Sequence, residues 1–305
     1  MIGRVVEIAS EGQHLSRHRG FLSVRKDSEE LARIPLDDIA VLLCNTEAHG
    51  LTYTNDLLVD MANRGIPAVL CGANYLPVAW LWPVEGHHVQ SLRMRSQLEA
   101  SLPLRKRLWQ ALVKAKIAQQ QNVLDVLGVP GGGLLALAQR VRSGDPDNVE
   151  AQAARRYWPL VFGSNFRRDR SAGGANAFLN YGYTVLRAAV ARSVAAAGLH
   201  PSIGIHHHNR ANPFCLVDDL MEPFRPLVDY AVVRLAKAGH REMTSETKRA
   251  LAGVLVMDLR TERGTTPLQT CIERAAQSAA QSYESCKPIF TFPGPPLVDS
   301  SGDTE

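Results

Sequence analysis

Short apolar runs separated by turn residues fill the N-terminal part of the chain. Runs of four to seven residues rich in Val, Ile and Leu are typical of β-strands. They read "GRVVEIA", "FLSVR", "LARIPL", "DIAVLLC", "IPAVLC" and "LPVAWLW". Between the fourth and fifth runs, Leu57, Leu58 and Met61 recur at helical spacing, and Gly65 supplies a helix stop. This pattern predicts a small strand-rich domain that contains one helix.

The pattern changes near residues 83–90, where long stretches rich in Leu, Ala, Gln and Arg begin. Residues 91–127 predict helix with an interruption at Pro103, because proline lacks a backbone N–H and clashes with the preceding turn. After the turn "GVPGGG", a short helix is expected around 134–142. We place a linker near 83–90.

The next predicted helix carries Glu150 in its first turns, and Asp145 or Asp147 is the expected N-cap. The run "ANAFLNYGYTVLRAAVARSVAAAGL" predicts a long apolar helix that ends near Gly198. A further helix, "NPFCLVDDLMEPFRPLVDYAVVRLA", must bend or restart around Pro223.

These elements predict an α+β fold, with a small β-rich N-terminal domain followed by a larger all-α domain. The expected boundaries are 1–84 for the first domain, 90–288 for the second, and 289–305 for a flexible tail rich in Pro and Gly. A length of 305 residues agrees with two domains.

Composition excludes several classes of protein. Neither a bilayer-spanning apolar run nor a signal-peptide core is present, so we expect a cytoplasmic protein without membrane partners. The five cysteines are scattered and lack a CxxC pair, which indicates reduced structural thiols.

The net charge of +4 is too small to indicate a nucleic-acid partner, but the basic residues are clustered. Two stripes could neutralise phosphates, or could be solvated helix faces. Their members are Arg93, Arg95, Arg105, Lys106, Arg107, Lys114 and Lys116, then Arg155, Arg156, Arg167, Arg168 and Arg170.

Three groups stand in apolar surroundings where an isolated charge would be costly: Glu150, His207 and Glu222. Two carboxylates and an imidazole suit Mg²⁺ or Mn²⁺ with open positions for water and phosphate oxygens, which fits phosphoryl transfer. Simpler interpretations remain open. Glu150 could serve the helix dipole, the three histidines 206–208 could form a surface loop, and the acids 218, 219 and 222 could decorate a helix start.

Four segments, in order along nearly the whole chain, give a more specific indication: "NVEAQAARRYW", "NAFLNYGYTVL", "GIHH" and "DDLMEPFRP". This arrangement resembles the CRISPR-associated integrases that capture new spacers, the Cas-one family. In that family a β-rich N-terminal domain, which dimerises, precedes a helical catalytic domain.

The resemblance implies that Glu150, His207 and Glu222 hold a catalytic Mg²⁺ or Mn²⁺, with Asp219 as a supporting acid facing the same site. His207 is favoured because the family's ligand lies three residues after the glycine, and its neighbours 206 and 208 remain alternatives. The expected DNA contacts are Arg93, Arg95, Lys116, Arg167, Arg168, Asn180 and Tyr183.

The implied activity is integration, in which prespacer 3′-hydroxyls attack the borders of a CRISPR repeat in double-stranded DNA. The implied assembly is a heterohexamer in which a Cas-two dimer bridges homodimers. The insertion "NRANPF" looks like the type II branch, which adds the effector nuclease as a further partner. The rival hypotheses are a stand-alone metal-dependent nuclease and a non-catalytic DNA-binding scaffold.

Overall fold

A computed structural model describes residues 4–45, 48–72, 77–81, 83 and 90–297. The predicted order of a strand-rich part followed by a helical part is confirmed. Among its described residues, the first part contains one α-helix, α1 (Asn55–Asn63). Its strands are β1 (Arg4–Ile8), β2 (Gln13–His18), β3 (Phe21–Lys26), β4 (Glu29–Pro35), β5 (Ile39–Cys44), β6 (Thr52–Tyr53), β7 (Ala68–Cys71) and β8 (Pro77–Leu81).

These strands form two four-stranded sheets. One has the order β4-β3-β2-β6 and the other β1-β5-β7-β8, with β1, β5 and β7 parallel. All six predicted runs are strands, whereas the polar β2 and the short β6 lack the apolar signal by which strands are recognised.

Strand β5 joins the two parts of the molecule through its two faces. Leu42 and Cys44 pack in the core of the N-terminal part. Val41 and Leu43 belong instead to the core of the helical part, because successive side chains of a strand point to opposite faces. The sheet β1-β5-β7-β8 therefore lies between two hydrophobic cores and supports the helical part.

The helical part is built around one central helix, α6, which is buried along most of its length. The interruption predicted at Pro103 is present, because one helix ends at Leu98 and Pro103 lies in the first turn of the next, which begins at Leu102. The helices are α2 (Gln90–Leu98), α3 (Leu102–Val126), α4 (Leu134–Arg140), α5 (Val149–Phe162), α6 (Ala175–Ala196), α7 (Cys215–Met221), α8 (Arg225–Lys237), α9 (Ser245–Ala252) and α10 (Leu268–Ser285).

The predicted break at Pro223 is also present, since a 3-10 turn over Glu222–Phe224 separates α7 from α8. Within the described residues, none of the helices is both long and apolar enough to cross a membrane. The linker expected near 83–90 lies almost entirely outside the described residues.

Two expectations for the C-terminal region need correction. The helical part is not all α, because it contains an antiparallel hairpin of β9 (Asp258–Thr261) and β10 (Gly264–Pro267). The flexible-tail prediction is wrong for 289–297, where the backbone pairs with β9: Arg260 N–H donates to Pro295 O (3.0 Å) and Gly294 N–H to Arg260 O (2.8 Å). The aromatic residues Phe290 and Phe292 pack on the helical core and fix this segment. Residues 298–305 lie outside the described part.

Candidate active site

Three charged side chains from separate segments meet in the helical part. Lys116 lies on α3, Glu150 in the first turn of α5, and Glu222 in the 3-10 turn after α7. Lys116 Nζ lies 2.6 Å from Glu150 Oε1 and 2.5 Å from Glu222 Oε2. The second oxygen of Glu222, Oε1, accepts a hydrogen bond from Arg225 Nε at 2.7 Å. The two glutamates named from the sequence are therefore brought to a single cation.

The start of α5 fixes the position of Glu150. Asn148 is the N-cap, with a left-handed backbone (φ 50°) and a side chain that accepts from a backbone N–H of the first turn. The sequence predicted Asp145 or Asp147 as the N-cap, and this prediction is wrong. Asp145 nevertheless accepts from the N–H groups of Val149 (2.9 Å) and Glu150 (3.0 Å). It orders the turn from which the Glu150 side chain projects.

Opposite charges keep this group ionised despite its burial. Burial opposes the charged form of Glu222, but Arg225 and Lys116 lower the pKa of its carboxyl to about 2. Burial likewise opposes the charged form of Lys116, and Glu222 and Glu150 outweigh it and raise the pKa of the ammonium. Glu222 is thus a carboxylate, the form in which it binds cations.

Asp219 organises the loop that carries the three histidines, the histidine loop (residues 204–208). Its carboxylate is fully buried and accepts from the backbone N–H groups of Ile205 (2.6 Å), His206 (2.9 Å) and His207 (3.2 Å). It also lies 2.6 Å from His207 Nδ1, and this hydrogen bond raises the pKa of the His207 imidazole. Asp219 was expected to face the same site as Glu222. Its carboxylate contacts the ring of His207, which lines the same pocket as Glu222.

The loop is tight enough to require Gly204. A Cβ on Gly204 would come within 2.1 Å of the His207 carbonyl oxygen. Of the three adjacent rings, His206 stacks on Trp109 with centroids 4.2 Å apart, and His208 is exposed with its Nδ1 at the His206 carbonyl. The His207 ring lines the same pocket as Lys116 and Glu222, which favours it over its neighbours as a ligand.

The donor chemistry of Glu150, His207 and Glu222 suits a hard divalent cation such as Mg²⁺ or Mn²⁺. In the part of the chain that the structure describes, however, no three His, Cys, Asp or Glu side chains are grouped closely enough to hold a metal. The two carboxylates share the ammonium of Lys116 instead. The donor atoms of these residues are therefore of the types that bind such a metal, while the ammonium of Lys116 lies between the two carboxylates.

Arginines line the pocket above these acids. The pocket has a volume of about 640 Å³, and its lining includes Arg168, Arg170, Arg187 and Arg225. Such a basic wall matches the charge of a phosphate backbone. Lys116, Arg168 and Arg170 come from the two basic stripes of the sequence. Arg187 belongs to neither stripe and forms an ion pair with Asp218 at 2.7 Å.

Asn180 and Tyr183, named from the sequence, lie beside the pocket arginines. Arg168 donates to Asn180 Oδ1 at 2.7 Å, and Arg225 lies over the Tyr183 ring at 4.9 Å from its centroid. The Tyr183 hydroxyl donates to the buried Asp229, and burial raises the pKa of that carboxyl to about 7. The polar groups of Asn180 and Tyr183 are thus already used in contacts within the protein, and both residues help to position arginines of the pocket.

The other expected DNA contacts are dispersed. Arg93 is largely buried and donates to Glu284 Oε1 (3.0 Å) and the Ala197 carbonyl (2.9 Å). Arg95 and Arg167 are exposed. Lys116, placed in the same basic stripe as Arg93 by the sequence, lies at the centre of the site.

Sequence reasoning missed an aromatic group at the pocket wall. Trp158 lines the pocket and packs against Phe162 and Phe166 at centroid distances of 5.6 Å. Their spacing of four residues, on and just after α5, was a visible signal of one shared face. Asp229 and Arg187 were also missed, since neither stands in a motif.

Comparison with known proteins shows the family of this chain. The family model for "CRISPR associated protein Cas1" matches residues 6–262. The CRISPR-associated endonuclease Cas1 of Neisseria meningitidis is 38% identical over 260 residues, covering 84% of each chain. One of two such proteins from Pyrobaculum aerophilum is 32% identical over 277 residues, covering 85% of this chain and 90% of the relative. The chain belongs to the Cas1 family.

Solved structures share the fold at lower identity. A casposase bound to its integration product superposes with a TM-score of 0.82 at 18% identity, covering 99% of this chain and 96% of the other. A Cas1 protein from Thermotoga maritima gives 0.77 at 17% identity, covering 94% and 99%. The predicted α+β class is therefore that of known Cas1 and casposase structures.

Proposed function

We propose that this protein is a metal-dependent DNA integrase and endonuclease of CRISPR adaptation, which joins prespacer 3′-hydroxyl ends to the borders of a CRISPR repeat. The observation that carries the proposal is the meeting of Glu150 and Glu222 at one cation, beside His207, in a pocket lined by arginines. Carboxylates that share a cation next to a phosphate-binding wall are suited to phosphodiester chemistry.

The reaction needs no further reactant. The oxygen of a 3′-hydroxyl forms a bond to phosphorus as the bond from phosphorus to the 3′-oxygen of the repeat strand breaks, and the leaving oxygen takes up a proton. Water in place of the hydroxyl gives endonuclease cleavage. Glu150, His207 and Glu222 would hold Mg²⁺ or Mn²⁺, which neutralises charge that develops on the phosphate oxygens.

The chain's own residues would position the DNA. Arg168 and Arg170 face the pocket and can pair with phosphate oxygens. Asp219 fixes the tautomer and orientation of His207 through its contact with Nδ1, leaving Nε2 towards a ligand. This support explains why a fully buried acid stands three residues before Glu222.

The assembly follows from the geometry of the product. Insertion at both borders of a repeat requires two equivalent sites at a fixed separation, which two homodimers bridged by a Cas2 dimer would supply. Similar folds occur in a Cas6-RT-Cas1–Cas2 complex (TM-score 0.73, 18% identity) and in a Cas1–DNA complex (0.56, 16%). These support DNA and Cas2 as partners. The type II effector nuclease is a further proposed partner.

An integration assay tests the proposal. Purified protein, its Cas2 partner, a prespacer with free or blocked 3′ ends and a repeat-bearing plasmid are combined with Mn²⁺ or with chelator. We expect joined products only with metal and free 3′ ends, loss of joining in His207→Ala, and retention in the matched variant His208→Ala, whose ring is exposed.

Other outcomes select the rival functions. Joining that persists in His207→Ala rejects this ligand assignment. Hydrolysed products without joining, formed without Cas2, indicate a stand-alone nuclease. DNA binding without any joining or cleavage indicates a scaffold.

A further inference from the structure

Lys116 occupies an unusual position for a lysine. Its side chain is 13% exposed, and its ammonium makes ion pairs with both Glu150 and Glu222. Lysine is rarely buried unless it is paired, because removing an ammonium from water is costly. The two carboxylates compensate this cost, so the position of Lys116 depends on them.

The carboxylates depend on Lys116 in turn. Glu150 and Glu222 approach one nitrogen closely enough that their charges would repel without a cation between them. Arg225 does not take this place, since its Nε contacts the other oxygen of Glu222. Lys116 therefore supplies the positive charge between the carboxylates.

A divalent ion would need the same place. To reach oxygens of both Glu150 and Glu222, it must lie between them, where Lys116 Nζ lies at 2.6 and 2.5 Å. Two cations in that space would repel each other strongly, because Coulomb energy rises as separation and effective dielectric fall. The ammonium and the ion therefore exclude each other.

The ammonium also has somewhere to go. Lys116 lines the pocket together with His207 and Glu222, so its long stem can swing the head into that space. Asp219 and the histidine loop need not change, because their hydrogen bonds do not involve Lys116. Exchange of one cation for another requires the movement of a single side chain.

We infer that Lys116 is a built-in counter-cation of the candidate metal site, which holds Glu150 and Glu222 together in the metal-free protein and competes with a divalent metal for them. The inference rests on the proposed function in taking these glutamates as ligands. It assigns Lys116 a positioning role toward them that is separate from contact with DNA.

The test measures metal binding rather than activity. Metal-free full-length protein is titrated with Mn²⁺ while the free ion is followed by electron paramagnetic resonance. Lys116→Met keeps the length of the stem but removes the competitor, so we expect the Kd for Mn²⁺ to fall at least about tenfold, equivalent to 1.4 kcal/mol. The matched control is Lys114→Met, an exposed lysine of the same helix, whose Kd should equal that of the wild type.

A second pair of measurements guards against trivial explanations. The gain must disappear when Glu150→Gln is added to Lys116→Met, because the gain requires both carboxylates. In thermal unfolding, Mn²⁺ should raise the Tm of Lys116→Met more than that of the wild type, and chelator should reverse this. If Lys116→Met does not fold, Lys116→Gln, which keeps a polar head without charge, is measured in its place.

An unchanged or higher Kd for Mn²⁺ in the folded variant overturns the inference. This result is distinguishable from failure of the proposed function. A wild type that joins DNA while Lys116→Met shows no gain in affinity rejects only the competition. A gain in affinity in a protein that joins no DNA retains the competition and rejects the integrase.

Discussion

Glu222 and Asp219 lie three residues apart, both are buried, and they are held in different ways. Glu222 is held by the side-chain cations Lys116 and Arg225. Asp219 is held by three backbone N–H groups and the His207 ring. A carboxylate bound by backbone amides is fixed with the loop that it folds, whereas one bound by a flexible ammonium can exchange its partner. The difference separates an acid that builds the site from one that is available to bind a ligand.

Asp229 represents a third way to hold a buried acid. It accepts a hydrogen bond from the Tyr183 hydroxyl, and its burial raises the pKa of the carboxyl to about 7. Near neutral pH it is therefore partly protonated, unlike Glu222, whose pKa is lowered to about 2. Glu222 contacts the cations Lys116 and Arg225 directly, whereas Asp229 accepts from an uncharged hydroxyl, and this difference accounts for the contrast between their pKa values. Each acid can be tested by its own substitution.

The largest effect is expected for Glu222→Gln, which keeps the shape of the side chain and removes its charge. Joining of DNA should fall by at least about 100-fold, because loss of a proposed ligand should cost no less than loss of a group that only supports one, which costs about 10- to 100-fold. The initial rate of joining at fixed Mn²⁺ checks this. Glu246→Gln, an exposed acid in the first turn of α9, is the control and should retain the wild-type rate. Wild-type joining by a folded Glu222→Gln would remove Glu222 from the site.

Asp219→Asn should act first on folding. Asp219 Oδ2 accepts from the N–H groups of Ile205 and His206, and Oδ1 accepts from the N–H of His207. An amide can accept on only one of these two atoms, so Asn leaves at least one backbone N–H of the loop unpaired in a fully buried place. We expect a loss of about 3 kcal/mol in the free energy of unfolding, as for broken hydrogen bonds to a buried charge. Urea denaturation of the metal-free protein measures it, with Glu246→Gln again as the control. An unchanged midpoint would show that the loop does not depend on this carboxylate.

The same contrast explains what the sequence could predict. The order of strands and helices follows from hydrophobic spacing, and the break at Pro223 from the chemistry of proline, since both are local. Motifs could name Glu150 and Glu222 as candidates, but only the packing of three segments brings them to one cation. The aromatic anchors of residues 289–297 were read as part of a loose tail because their partners lie far away in the sequence.

Lys116 shows most clearly what charge patterning in the sequence cannot predict. In the sequence it is one member of a basic stripe with Arg93, Arg95 and Lys114, and nothing local separates them. In the structure Lys114 is exposed, Arg93 is tied to Glu284, and Lys116 bridges two glutamates. The environment of a charged side chain is decided by tertiary contacts, which charge patterning does not contain.

A smaller effect, with a defined dependence on pH, is expected for Asp229→Asn. Because the folded state raises the pKa of this carboxyl from 3.8 to about 7, the folded protein holds the proton more tightly than the unfolded chain. Its contribution to stability therefore falls as pH rises from about 4 to 7 and stays low above that range. Asn cannot ionise, so the variant should gain about 1.4 kcal/mol relative to wild type for each pH unit between about pH 4 and 7.

Urea denaturation of both proteins at several pH values measures this difference. A difference that stays constant from pH 4 to 8 would mean that Asp229 titrates alike in folded and unfolded chains. Far-ultraviolet circular dichroism confirms that both proteins remain folded at each pH.

The smallest effects are expected for two arginines of the basic stripe, of which Arg95 is exposed and Arg93 is held by hydrogen bonds and an ion pair. Arg95 is exposed, so Arg95→Ala should weaken DNA binding a few-fold and lower the slope of log affinity against log salt by about 1. Arg93 donates to Glu284, Gln277 and a backbone carbonyl. Arg93→Ala should therefore leave the slope unchanged and cost about 1 kcal/mol of stability. Filter binding over a salt series, with urea denaturation alongside, separates the two. Equal slopes for both variants would mean that Arg95 does not neutralise a phosphate, and that exposure alone does not identify a DNA contact on this surface.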